Sequence, residues 1–177
     1  QAYALDLERD LTWLLVNASD PAWAVLATEA AIHSKSEPLL RTALDSRYAD
    51  AAALALTAIG SSLTAPLPDY ILGKAAETGS PVRKPLAALL RQKPHQGHLA
   101  TLLTLAQDTW SRGSRTYGED DDFPIAQSAV AAIAELGPLS RDVQKALYKI
   151  AFETSDPDLA AELCSVQYGY AFKDGKD

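Results

Sequence analysis

The sequence predicts an all-α fold, an α-solenoid of about five antiparallel helix pairs. Three observations predict it. Helix-start signals recur at Asp20-Pro21, Ala49-Asp50, Ser80-Pro81, Phe123-Pro124 and Asp156-Pro157, a period of about thirty residues with one step longer by roughly a dozen. Ala and Leu dominate the apolar residues, with little β-branched or aromatic content, a bias that favours helix over sheet. Within most segments the apolar residues return at helical spacing, so each helix has a face to bury.

The first helix is expected from about Tyr3 to Val16, with Leu7, Leu11, Leu14 and Leu15 on one side. Asp20 caps the second, Pro21 fits its first turn where no backbone N–H is needed, and it ends near His33. Ser36-Glu37-Pro38 starts a third helix through Leu44, and a fourth runs from Tyr48 to Ile59 with Gly60 as its stop. A fifth covers Pro68 to Glu77. The sixth opens at Ser80-Pro81, carries Val82, Leu86, Leu89 and Leu90 on one face, and tolerates Pro85 near its first turn. The seventh spans Gly97 to Trp110. After a polar stretch, Phe123-Pro124 opens an eighth with a stripe of Ile125, Ala129, Ala132, Ile133 and Leu136, ended by Gly137. Ser140 to Glu153 forms the ninth. Asp156-Pro157 starts the tenth, reaching about Val166, and the tail from Tyr168 to Asp177 is expected to fray. The matched inner positions of the second helices are Ile32, Ile59, Leu90, Ile133 and Leu163. Residues 1–170 thus read as one helical-repeat domain with an inserted loop at 111–123, and 171–177 as a polar tail.

Composition limits the partners. A chain of 177 residues can bury a core without disulfides or metals. The net charge of −7 argues against nucleic acid and anionic membranes as general partners. No apolar run approaches a membrane span, so no membrane insertion is expected. Cys164 is the single cysteine, which excludes an intrachain disulfide and reads as a small core residue. The chain lacks an initiating Met. That permits a mature periplasmic or secreted form, or an excised domain, and leaves the cytoplasm open.

The segment Ser80-Pro81-Val82-Arg83-Lys84-Pro85-Leu86-Ala87-Ala88-Leu89-Leu90 resembles the HEAT-repeat phrase, Asp-Pro-x-Val-Arg followed by an Ala-Leu-rich helix. Asp156-Pro157-Asp158-Leu159-Ala160-Ala161-Glu162-Leu163 looks like a second copy without the Arg, and the run from Asp50 to Gly60 is similar to the motif's helix-plus-glycine ending. The short period is closer to bacterial, phycobilisome-lyase-like repeats than to long eukaryotic ones. The resemblance spans most of residues 1–170, and it departs from the pattern where Val-Arg is missing. It implies a right-handed superhelix that binds a partner, and it carries over no catalytic residue.

The acidic run Glu119, Asp120, Asp121 and Asp122 is the most conspicuous surface feature. It reads as a solvated insertion whose charge favours the next helix N-terminus. The sharper reading is a protein-binding loop anchored by Tyr117 and Phe123. Calcium is disfavoured, because the alternating ligands and terminal Glu of an EF-hand loop are missing. Arg83, Lys84, Arg91 and Lys93 form a local basic face, with Arg112 and Arg115 a helix away. Such charges are usually solvated, but this face could receive the acidic loop or an acidic partner. Arg83, Arg91, Tyr117, Glu119, Asp120, Asp121, Asp122 and Phe123 are therefore the candidate partner-binding residues.

His95 and His98 can share one face but lack an obvious third ligand, so no metal and no cofactor is expected. His33 suits a helix C-terminus. Trp13, Trp23 and Trp110 are expected to pack between repeats, and an exposed one would be an interface hot spot. No phosphate loop, dinucleotide fingerprint, Gly-x-Ser-x-Gly or His-Glu-x-x-His motif occurs. The expected function is a non-catalytic protein-binding scaffold using the repeat surface and the 111–123 loop. An extracytoplasmic inhibitor or immunity-type protein, or a lyase-like enzyme subunit, is the alternative, and a helical-repeat DNA binder is the weakest reading.

Overall fold

A computed structural model of the chain describes residues 6–77, 80–107, 124–154 and 157–171. Among these residues every regular element is helical, and no helix is long and apolar enough to cross a membrane. They fall into two compact units, one formed by Gln1–Thr64 with Ser80–Pro85, the other by Ala65–Gly79 with the chain from Leu86 onward.

The first unit holds α1 (Leu7–Asn17), α2 (Pro21–Ser34), α3 (Glu37–Leu44) and α4 (Ala49–Ser62). Its helix starts follow the local chemistry. Asp6 accepts from the Arg9 N–H at 3.2 Å, and Asp20 accepts from the Ala22 N–H at 2.9 Å, each relieving an amide left unpaired by the first turn. Lys35 ends α2 in the left-handed conformation (φ 54°), and the Ser36 N–H returns to the Ala31 carbonyl at 3.1 Å. α1 packs on α2 and α3, while α4 packs on α3 and α2. Leu11 and Leu15 bury one side of α1; Ala24, Ala27 and Ala31 on α2 and Ala51, Ala52 and Ala55 on α4 are almost fully buried. Their small side chains let helix backbones approach closely.

The junction between these helices is fixed by polar contacts. The Ala18 carbonyl, just past α1, accepts from the Tyr48 hydroxyl at 2.8 Å and from the Arg47 guanidinium. That guanidinium also donates to the Tyr48 oxygen at 2.8 Å and lies 4.8 Å from the centre of its ring. Ala18, Ala24 and Ala51 form a small core cluster beneath, with Val25 and Tyr48 packed on it. Tyr48→Phe keeps the ring and removes the hydroxyl, so it is expected to cost about 1 kcal/mol in chemical denaturation. An unchanged midpoint would show that the Arg47 contact alone suffices.

The second unit opens with α5 (Asp69–Leu72), which continues as a 3-10 turn over Gly73–Ala76. α6 (Arg83–Gln92) contributes its residues from Leu86 onward. A 3-10 turn at Gln96–His98 leads into α7 (Leu99–Ala106), followed by α8 (Pro124–Glu135), α9 (Arg141–Glu153) and α10 (Pro157–Ala171). α7 packs on α8 and on the Gly73–Ala76 turn, α9 on α10, α8 on α10, and α7 on α9. Leu90, Ile133, Leu147 and Leu163 are fully buried here, as Leu56 is in the first unit.

Several boundaries differ from the sequence expectation. α4 runs through Gly60, which is buried inside it and is not its stop. A glycine costs a helix only about 1 kcal/mol, less than the burial of Ile59 beside it returns. The expected helix from Pro68 to Glu77 is a single α turn that tightens into 3-10 geometry at Gly73. Ser80 does accept from the Val82 N–H at 3.4 Å, but the helix begins only at Arg83, placing Pro85 in its first turn. α10 extends to Ala171, past the expected fraying point at Tyr168. Gly137 closes α8 with φ +86°, a conformation that favours glycine.

Candidate binding surfaces and the His95–His98 site

The most developed polar constellation in the second unit is built on the turn before α7. His95 precedes that turn and its Nδ1 accepts from the Gly97 N–H at 3.0 Å, the job an Asp or Ser does at other helix starts. The turn swings His98 inward until it is fully buried. Its Nε2 accepts from the Leu67 N–H at 2.8 Å, which satisfies an amide in the connector before α5. An accepting Nε2 puts the proton of the neutral ring on Nδ1. That buried Nδ1 has no partner at hydrogen-bond geometry.

Burial pushes the His98 pKa below its ordinary value, the neighbouring His95 pushes it the same way, and the Lys93 backbone carbonyl opposes them in part. The two imidazole rings sit 5.5 Å apart. Gln96 adds a further tie from the same turn, donating to the Leu136 carbonyl at 2.8 Å at the end of α8. The two histidines, expected to share one face of a helix, neighbour each other across a 3-10 turn, His98 buried and His95 half-buried. With Nε2 engaged and Nδ1 enclosed, His98 is suited to pinning the 65–68 connector rather than to moving protons for a substrate. Among the described residues no group of three or more His, Cys, Asp or Glu is placed to hold a metal ion.

The candidate partner-binding residues divide sharply. Tyr117, Glu119, Asp120, Asp121, Asp122 and Phe123, with Trp110, Arg112 and Arg115, lie outside the described residues. Arg83 is only 6 % exposed, which corrects the expectation of a solvated cation there: α6 begins at this residue, and its side chain lies within the packing. Lys84 and Arg91 remain exposed and Lys93 is half-buried. Arg91 has an acidic neighbour in the second unit. Burial raises the Glu162 pKa, and the Arg91 charge holds that rise back.

The tryptophans overturn their expectation as well. Trp13 and Trp23 are 60 % and 55 % exposed, not packed between helices. Trp13 and Val16 project from α1 opposite Leu11 and Leu15, beside an open, shallow depression that also includes Asp6, Glu8 and Arg9. Trp23 and Leu26 stand on the flank of α2 away from Ala24, Ala27 and Ala31. α2 is apolar nearly all round, so helical periodicity could not say which side would be covered.

A second exposed surface escaped sequence reasoning. On α9, Arg141, Lys145, Tyr148, Lys149 and Phe152 are all exposed, with Phe152 at 95 %. Their spacing of i, i+4, i+7, i+8 and i+11 puts them on one face, opposite the buried Leu147 and Ile150. That spacing was a signal available in the sequence. Cys164 is a free thiol of intermediate exposure, and His33 lies in the last turn of α2 with Nδ1 3.0 Å from the Glu29 carbonyl. No family model matches the chain, and no curated protein or solved structure is similar to it.

Proposed function

We propose that the chain is a non-catalytic protein-binding scaffold of HEAT-like helical pairs, stacked as a right-handed solenoid. The observation that carries this reading is a packing pattern repeated within each unit. In the first, α1 packs on α2 and α3 on α4, α1 also packs on α3 and α2 on α4, and α2 touches α3 as the chain passes from one pair to the next. In the second, α7 pairs with α8 and α9 with α10, while α8 stacks on α10 and α7 on α9. First helix on first and second on second is the contact pattern of an α-solenoid, in which each pair buries itself only against its neighbours. Such arrays present extended, largely preformed surfaces, and their usual work is recognition by shape and charge.

The partner-binding surface is assigned to the exposed side of the second helices, including Arg91, together with the 111–123 segment. Tyr117, Phe123 and the acidic residues Glu119 to Asp122 there combine aromatic anchors with charge. Affinity capture with the intact chain, repeated after deletion of residues 112–122, tests this assignment. A repeat-surface binder keeps its captured protein and weakens about tenfold or less. An inhibitor that plugs an enzyme with the acidic loop loses binding altogether. Turnover of a substrate with no captured protein would overturn the scaffold reading.

A further inference from the structure

The described residues contain seven large apolar side chains that are strongly exposed: Leu7, Trp13, Val16, Trp23, Leu26, Tyr148 and Phe152. Five belong to α1 and α2 and two to α9, so all lie in the first and last helical pairs and none in α3 to α8.

The two faces also carry opposite charge. Between Asp6 and Ser34 the acids are Asp6, Glu8, Asp10, Asp20 and Glu29, and Arg9 is the only Lys or Arg. Arg9 is already engaged with Asp10 at 3.2 Å. The α9 face presents Arg141, Lys145 and Lys149 around Tyr148 and Phe152. Its flanking acids, Asp142 and Glu153, sit 3.9 and 3.8 Å from Lys145 and Lys149. Ion pairs that long and that exposed are weak and readily exchange partners.

We propose that the acidic, tryptophan-bearing surface of α1–α2 docks on the basic, aromatic face of α9 in a second copy of this chain. An apolar anchor ringed by acids meets an aromatic anchor ringed by cations, so burial of both is accompanied by charge pairing rather than charge repulsion. The contact joins unlike faces. Two copies can exchange it reciprocally about a two-fold axis, or it can propagate head to tail. This assembly does not depend on the scaffold reading.

The test uses the intact chain and two variants that alter exposed residues only. One carries Trp13→Lys and Trp23→Lys, the other Lys149→Glu and Phe152→Glu. Sedimentation velocity of the unaltered chain is expected to show mass rising with concentration and falling with salt. Each variant alone should be monomeric with an unchanged thermal midpoint, its self-association weakened about thirtyfold or more. Mixing the two leaves one intact face of each kind, so the mixture should form one-to-one pairs and nothing larger. An unaltered chain that stays monomeric into the hundreds of micromolar overturns the proposal, as ordinary weak interfaces would show by then. Persistent self-association of either variant overturns it too, since that requires like faces or a different surface. A mixture that fails to pair does the same.

Discussion

His98→Phe is expected to destabilise the second unit by about 2 kcal/mol, because it fills the same space but leaves the Leu67 N–H buried without an acceptor. The local readout is amide exchange at Leu67, which should become fast while amides of α1 to α4 keep their protection. His98→Gln places a non-titrating acceptor near the position of Nε2 and should recover much of the loss. The pair of variants separates the hydrogen bond from packing. Equal stability of all three proteins would show that the Leu67 contact contributes nothing.

The same residue sets a pH signature. The folded pKa of His98 lies below its ordinary 6.5, so the native state resists a proton that the unfolded chain accepts. Its contribution is therefore present above about pH 6.5 and is lost as pH falls from there through the folded value. Glu162 slopes the other way: its folded pKa is raised above 4.5, so protonation at low pH favours the native state. The difference between the unaltered protein and His98→Gln cancels Glu162 and isolates the histidine. That difference should change across the interval below pH 6.5 and be flat above it.

Ile133→Ala is expected to cost about 3 kcal/mol, the sum of lost transfer energy and a cavity that α7 and α10 cannot close. Ile133 is fully buried on α8, which packs against both of those helices. Phe152→Ala removes a larger side chain but should change monomer stability by no more than about 0.5 kcal/mol, since that ring is 95 % exposed. Denaturant titration at low protein concentration distinguishes them. If Phe152→Ala costs as much as Ile133→Ala, the ring is covered in the isolated chain.

Much of the secondary structure was legible because it rests on short-range chemistry. Asp20-Pro21 and Ser140 start α2 and α9 through side-chain and φ preferences that act within one turn. Of the inner positions picked by periodicity, Ile59, Leu90, Ile133 and Leu163 are buried, because a stripe at helical spacing has only one efficient way to leave water. Boundaries were less legible wherever two local preferences competed. Gly60 is a stop signal by propensity, yet the packing of Ile59 and the rest of α4 carries the helix past it. At Ser80-Pro81 the capping chemistry is present, but the helix waits until Arg83.

The candidate site was less legible than the fold. Arg83 is part of the most motif-like phrase in the chain, yet burial removes it from the surface. Trp13 and Trp23 have the residue type of a core and the exposure of an interface. The basic aromatic face of α9 is written in the sequence at helical spacing, but identical spacing also describes an ordinary solvated face.

The amino-acid sequence by itself determined that this protein is helical, roughly where each helix starts, and which side of most helices is apolar enough to bury. Those properties depend on neighbours within a turn or two. Only the tertiary structure decided that His98 turns inward to hold Leu67, that Arg83 is enclosed, and that strongly exposed apolar side chains, among the described residues, fall on α1, α2 and α9. Burial is a property of the partners a face meets, and those partners lie far away in the chain.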